Sequence, residues 1–164
     1  MPDNSGIASF QFISYKIDTV NVQVAKKVDT LLMHSFLPPN QMNFEIGFRK
    51  TGKYLLNNGI HYVGGLNARI QIIDGNQTQI LNGDFGISGL FRPLSDTMDK
   101  KLEENMVHIN IPAILLPYLR SAITTILSQA GFGTIILPLI NVHEVTRQKP
   151  VEILDYTKPP SPGV

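Results

Sequence analysis

Asp84-Phe85-Gly86 spells the metal-binding triplet of protein kinases, whose aspartate holds magnesium beside a nucleotide. Here the triplet falls inside a strand-like stretch, with no His-Arg-Asp loop and no phosphate-covering glycine loop. His34, His61, His108 and His143 never recur at the i, i+3 or i+4 spacing that puts two ligands on one helix face. Each is expected as an isolated surface or edge residue. Gly64-Gly65 and Gly131-Phe132-Gly133 lack the lysine and the glycine spacing of a phosphate loop, so structural roles are expected. Asn76-Gln77-Thr78 matches a glycosylation acceptor, which matters only in a secreted chain. The opening MPDNSGIASFQF shows no basic start followed by an apolar run. There is no cysteine, so disulfides, iron–sulfur clusters, thiolate zinc sites and cysteine nucleophiles fall away together. No acid pair, Ser-His arrangement or lysine in an apolar setting stands out. The expectation is a protein that is not an enzyme and takes no cofactor or metal.

With 14 Lys+Arg against 13 Asp+Glu in 164 residues, the net charge of +1 rules out a chain held to nucleic acid by bulk charge. At 43% hydrophobic and 16% charged residues, the chain can build an ordinary core.

The elements follow from periodicity. Phe10 and Phe12 share one strand face, and Val20, Val22 and Val24 alternate with Thr19, Asn21 and Gln23. The two halves are out of phase across Ser14 to Asp18, which predicts a bulge or bend. Pro38-Pro39 marks a loop. Met42, Phe44, Ile46 and Phe48 alternate with polar or small residues as a half-buried strand does. Asn57-Asn58-Gly59 and Asp74-Gly75-Asn76 are turn signals that bound a strand from Ile60 to Ile73, and Thr78 to Phe91 returns from the second. Gly64-Gly65 predicts a bend or a close approach of backbone. Four strands joined by short turns predict an antiparallel meander.

Ser95 to His108 reads as a marginal helix or a crossover. A helix follows from near Pro112 to about Ala130, with an apolar stripe of Leu115, Leu116, Leu119, Ile123, Ile126 and Leu127 and a stop at Gly131. Pro117 requires that helix to begin near Pro112 or later. The 22 uncharged residues between Arg120 and His143 are long enough to span a bilayer, but they read better as an amphipathic helix and an extended segment, with no membrane insertion. The domain plan is a flexible N-terminus at 1–9, an α+β domain at 10–148 and a flexible Pro-rich tail at 149–164.

What remains is hydrophobic display. One helix covers only part of one sheet face, while Val63, Ile73 and Leu81 place apolar residues on opposite faces. A sheet apolar on both sides must be covered by another subunit or a ligand. A small-molecule-binding or enzymatic sheet-and-helix domain, which predicts one enclosed pocket with convergent polar groups, and a purely structural oligomeric module are the rivals.

The segment PAILLPYLRSAITTILSQAGFGTIILPLINV is similar to the SecB family of export chaperones. That family has a Pro-x-x-Leu-x-Pro-Tyr-x-Arg helix start, a glycine turn and Leu-x-Pro-x-Asn. Here these fall on Pro112, Leu115, Pro117, Tyr118, Arg120, Gly131, Leu137 or Leu139, Pro138 and Asn141. Phe10-Gln11 and Gly89-Leu90-Phe91 match as well, and the resemblance spans roughly residues 10–145. It implies an α+β fold with a four-stranded antiparallel sheet and one long helix, a homotetramer built as a dimer of dimers, and cytoplasmic, ATP-independent holding of unfolded preproteins and other non-native polypeptides for export, often with delivery to SecA. It implies a client groove at Phe44, Ile46 and Phe48, and an interface between copies at Gly83, Phe85, Ile87, Leu119 and Ile123. The SecA-type outer-face positions fall on Thr19 and Gln23, both neutral, and on Asp84. A variant within the class serves one client, such as an antitoxin, and the lost acids favour it. The family's second C-terminal helix is not evident, because Glu144 to Gln148 is short and Pro150 stops it.

Overall fold

The computed structural model describes residues 9–25, 42–73, 75, 77–95 and 97–158. The flexible ends expected from the sequence lie partly outside these, at 1–8 and 159–164, as do His34 and the loop at Pro38-Pro39.

The architecture is α+β. The long strands are β1 (Phe10–Val24), β4 (Gly59–Ile73) and β5 (Gln79–Pro93). The predicted second strand is two, β2 (Met42–Phe48) and β3 (Thr51–Leu56), which pair in succession along β4. A sixth strand, β6 (Ile153–Asp155), runs parallel to β3. The described sheet is therefore mixed and six-stranded, in the order β1-β5-β4-β3-β6 with β2 on β4. It is not the four-stranded antiparallel meander expected from the turn signals. β1 lies beside β5, the last long strand, in a Greek-key-like order. Short turns dictate only which neighbours form hairpins; the place of β1 is set by side-chain packing across the sheet.

The phase break in β1 resolves into two register shifts, between Phe12 and Ser14 and between Ile17 and Thr19. Each leaves one residue unpaired and returns the apolar residues to one side. Phe12, Tyr15, Ile17, Val20 and Val22 thus all sit opposite the core face of β5, at Phe91, Gly89, Ile87, Phe85 and Gly83.

The stretch from Ser95 to His108, read as a marginal helix or a crossover, does hold a helix, and it runs on into the longer one before Pro112. Asp99 caps α1 (Lys100–Asn105), accepting the Leu102 amide at 2.9 Å. A wide turn at Met106–Asn110 follows, and α2 (Ile111–Leu127) continues from it. In the wide turn the Ile111 amide reaches back five residues to the Met106 carbonyl. The widening comes just before Pro112, whose ring crowds the preceding turn of a regular helix. Pro117 lies inside α2 rather than in a first turn. Ile111, Leu115, Leu119, Ile123 and Leu127 are buried on the sheet. Gly64 and Gly89, cross-strand neighbours, leave the space that Ile111 and Leu115 fill, so the predicted close approach is that of the helix. Gly131, at φ 95°, ends the helical run. Lys100–Phe132 is long and apolar enough to cross a membrane, but here its apolar stripe faces the sheet.

The C-terminal part departs further from expectation. A second helix, α3 (Val142–Gln148), does form, with Asn141 Oδ1 accepting the Glu144 amide at 3.3 Å. Residues beyond 148 fold back onto the sheet instead of trailing. The Thr51 amide bonds the Glu152 carbonyl and the Tyr156 amide bonds the Lys53 carbonyl, each at 2.8 Å, and Val151 is buried. Prolines ended the helix, but extended backbone suits the edge of β3.

Candidate functional site

β2 presents its apolar residues on the helix side of the sheet. Phe44, Ile46 and Phe48 lie opposite Ile70, Ala68 and Leu66, and residues directly opposite across an antiparallel pair share a face. Those partners on β4 are buried, whereas the three β2 residues are only half-buried. Their cover comes from the segment 133–141, which crosses from the helix to α3 without regular structure. Leu137 anchors this segment in the core. Its neighbours turn outward: Ile136 is 80% exposed and Leu139 93% exposed.

Between β2 and the crossover lies an open groove of about 370 Å³, lined by Phe44, Ile46, Pro138, Leu139, Ile140 and Val145 with Asn141, Glu144 and Gln148 at its rim. Two of the three expected groove residues line it. Phe48 does not line it, though like Phe44 and Ile46 it packs against the core. Leu139 and Ile140 carry only a weak signal, an apolar run broken by Pro138, which does not say which side chains the crossover turns toward the groove, and Val145 is a single apolar residue on the short helix α3.

The outer face of the sheet is mostly polar. Leu81 faces the helix, opposite Ile72, and only Val63 and Ile73 of the expected outer apolar residues stand on the other side, half-buried. Glu45, Asn67, Arg69, Gln71, Asn82, Asp84 and Ser88 hold its centre. Further exposed apolar surface stands on that face at Tyr54, Leu56 and Tyr156 near its β3 edge, and on the helix side at the lateral edges. On β1, Val20 is 51% and Tyr15 46% exposed, and Tyr15 meets Tyr118 of α2 with ring centroids 4.5 Å apart. Gly83, Phe85, Ile87, Leu119 and Ile123, expected between copies, are buried within the chain itself.

Thr19 and Asp84 line one outer-face depression of about 470 Å³, with Glu45 and Arg69; Gln23 lies outside it, opposite Asn82. Asp84 is engaged, accepting the Arg69 Nε proton at 2.8 Å. Asp18, the residue extruded by the second β1 bulge, reaches Arg49 from across the sheet. The guanidinium donates to both carboxylate oxygens, at 2.7 and 2.8 Å, and to Asn67 Oδ1 at 2.6 Å, while Ser88 Oγ also donates to Asp18. It lies in a slot that a Cβ on Gly86 would enter at 2.0 Å.

The Arg49 hydrogen bonds hold the Asp18 carboxyl well below the usual carboxylate range. A folded carboxyl that ionises more readily than the unfolded one stabilises above the unfolded value, about pH 4, and that contribution fades as pH falls through the folded value. Asp18→Asn is expected to cost about 1 kcal/mol at pH 7, after allowance for solvent screening. In thermal melts its deficit against the unsubstituted chain should shrink below pH 4.

On the far side of α3 is a polar cleft of about 590 Å³, lined by Asn105, His108, Ile109, Asn141, His143, Glu144, Thr146 and Arg147. His108 Nε2 is already within 2.9 Å of the Val151 carbonyl. His61 is buried, not on the surface, with Nδ1 3.0 Å from the Gly59 carbonyl. No cluster of metal-ligating side chains occurs among the described residues.

This sheet with one long helix across it is a SecB-like fold. The chain is similar to the SecB-like chaperone Rv1957 of Mycobacterium tuberculosis, solved in complex with a ChAD peptide from the HigA1 antitoxin: 13% identity, 81% of this chain and 91% of that chain covered, TM-score 0.58. It is also similar to a protein of unknown function from Streptococcus agalactiae, at 12% identity, covering 80% of this chain and 97% of that chain, with a TM-score of 0.46. No protein-family model matches the chain, and no curated protein matches it.

Proposed function

We propose that this chain is an ATP-independent holdase for non-native polypeptides, working as a homotetramer in the cytoplasm. The observation that carries this reading is the groove, where Leu139 stands 93% exposed beside the half-buried Phe44 and Ile46. An unfolded client exposes apolar side chains that such a groove buries, each contributing roughly 1.5–3 kcal/mol before the cost of ordering the chain. A folded client hides those side chains, so selectivity needs no nucleotide. Several grooves on one assembly hold a long client by avidity. The exposed apolar strip of Tyr15 and Val20 on β1 with Tyr118 of α2 is a surface that a second copy can cover.

A client-dedicated role is favoured over general export with delivery to SecA. Thr19 and Gln23 carry no charge and Asp84 is tied to Arg69, so the outer face offers little to a basic partner. The related fold that holds an antitoxin peptide supports the same choice. The test is to dilute a chemically unfolded client into the protein without nucleotide and follow light scattering. Suppression of aggregation near stoichiometric amounts supports the holdase. Undiminished aggregation, or a monomer at micromolar concentration in sedimentation, speaks against holding or assembly respectively.

A further inference from the structure

The wall of the groove is a segment with almost no secondary structure to keep it in place. Residues 133–141 form neither helix nor strand, and backbone polar groups outside such elements must find other partners. Leu137 and Pro138 find theirs in one side chain. Arg120, on α2, donates from Nη1 to the Pro138 carbonyl at 2.6 Å and from Nη2 to the Leu137 carbonyl at 2.8 Å. No carboxylate pairs with Arg120 among the described residues. Its charge is directed to two successive carbonyls, which the rigid guanidinium fork fits and a lysine cannot bridge in the same way.

The other restraints act at the ends. Gly133 enters the segment at φ 65° and ψ −152°, backbone that glycine adopts at little cost, and the Asn141 cap closes it at α3. Between them buried Leu137, half-buried Ile135 and Ile140 against the core, and the Arg120 fork, the one side chain that holds its backbone carbonyls, fix the middle. The residues fixed there stand next to Leu139 and Ile140, which face the groove.

We propose that Arg120 is a positioning residue for the client groove: by clamping the Leu137 and Pro138 carbonyls it sets the distance of the Leu139–Ile140 wall from β2, and so the affinity for unfolded chain. This rests on the holdase reading above. Freed of the clamp, the wall samples positions in which its side chains and Phe44 no longer grip one segment together.

The test uses the full chain and reduced, carboxyamidomethylated α-lactalbumin, a permanently unfolded probe. Arg120→Ala is expected to weaken binding about tenfold, the scale of a lost charge-assisted contact. The Leu139 and Ile140 methyl signals should shift, while amide protection in β4 and β5 and the thermal midpoint hold. Arg120→Lys should recover part of the affinity. Affinity equal to that of the unsubstituted chain overturns the inference alone. So does a loss of binding accompanied by lost protection throughout the sheet, which marks general destabilisation. Failure of the unsubstituted chain to bind the probe overturns the holdase reading, and this inference with it.

Discussion

Leu139→Ser combined with Phe44→Ser is expected to abolish client holding while the fold persists. The two side chains stand on opposite walls of one groove, one on the crossover and one on β2. Leu139 makes almost no contact with its own chain, so its replacement should change stability by less than about 0.5 kcal/mol. Phe44 is half-buried beside Ile70, and its loss should cost about 1–2 kcal/mol, tolerable for a domain of this size. On the client side, two lost anchors of roughly 1.5–3 kcal/mol each weaken a single groove by on the order of a hundredfold or more. Light scattering of a diluted client reads the first effect and thermal melting the second. Full suppression by the double variant would move the site elsewhere. Exposure is what makes the experiment clean, because a side chain so far out of the core has no evident structural duty.

The largest loss of stability is expected from Gly64→Val and Gly89→Val. These glycines face each other across β4 and β5, beneath α2. A Cβ on Gly64 would lie 2.6 Å from Ile111 Cγ2, and one on Gly89 would lie 2.6 Å from Leu115 Cδ2. Helix and sheet would have to separate, which costs typically 1–3 kcal/mol per overpacked site and more when two coincide. Shortening the opposing side chain should restore part of the loss, so Gly89→Ala with Leu115→Ala should be less than additive in denaturant titrations. Gly47→Ala serves as the control. No atom lies within 4 Å of a Cβ there, and its effect should stay within about 0.5 kcal/mol.

These glycines also show what the sequence disclosed and what it concealed. Gly64-Gly65 announces a close approach, because a side chain missing from a strand has a spatial reason, but not that the visitor is Ile111. The phase break in β1 is legible, since a strand cannot change faces without an extra residue; the bulge at Asp18 lies within the Ser14 to Asp18 stretch where the alternation fails, and a second, at Ile13, lies just before it. The apolar stripe of α2 is legible for the same reason. The order of strands is not, because Val20 opposite Phe85 is a long-range match that no local pattern encodes. Nor is the start of the helix. Proline at 112 reads as a first turn, yet a widened turn before it lets the helix run from Lys100.

The site was half visible for a physical reason. Phe44 and Ile46 belong to a strand, whose period tells which residues share a face. Leu139 and Ile140 belong to a segment without a period, where Arg120 and Leu137 decide what points outward. The five residues expected between copies illustrate the converse. Phe85, Ile87, Leu119 and Ile123 are strongly apolar, but apolarity alone does not separate a core from an interface, and here the chain's own helix and sheet consume them.

Methyl NMR tests the central proposition most directly. Isotope-labelled Ile46, Leu139 and Ile140 report the groove, and Ile73 reports the outer face. Adding an unfolded client without nucleotide should shift the first three and leave Ile73 still, and the same client in its folded form should shift none. Unmoved groove methyls in the presence of the unfolded client, or equal shifts from both forms, would contradict the account.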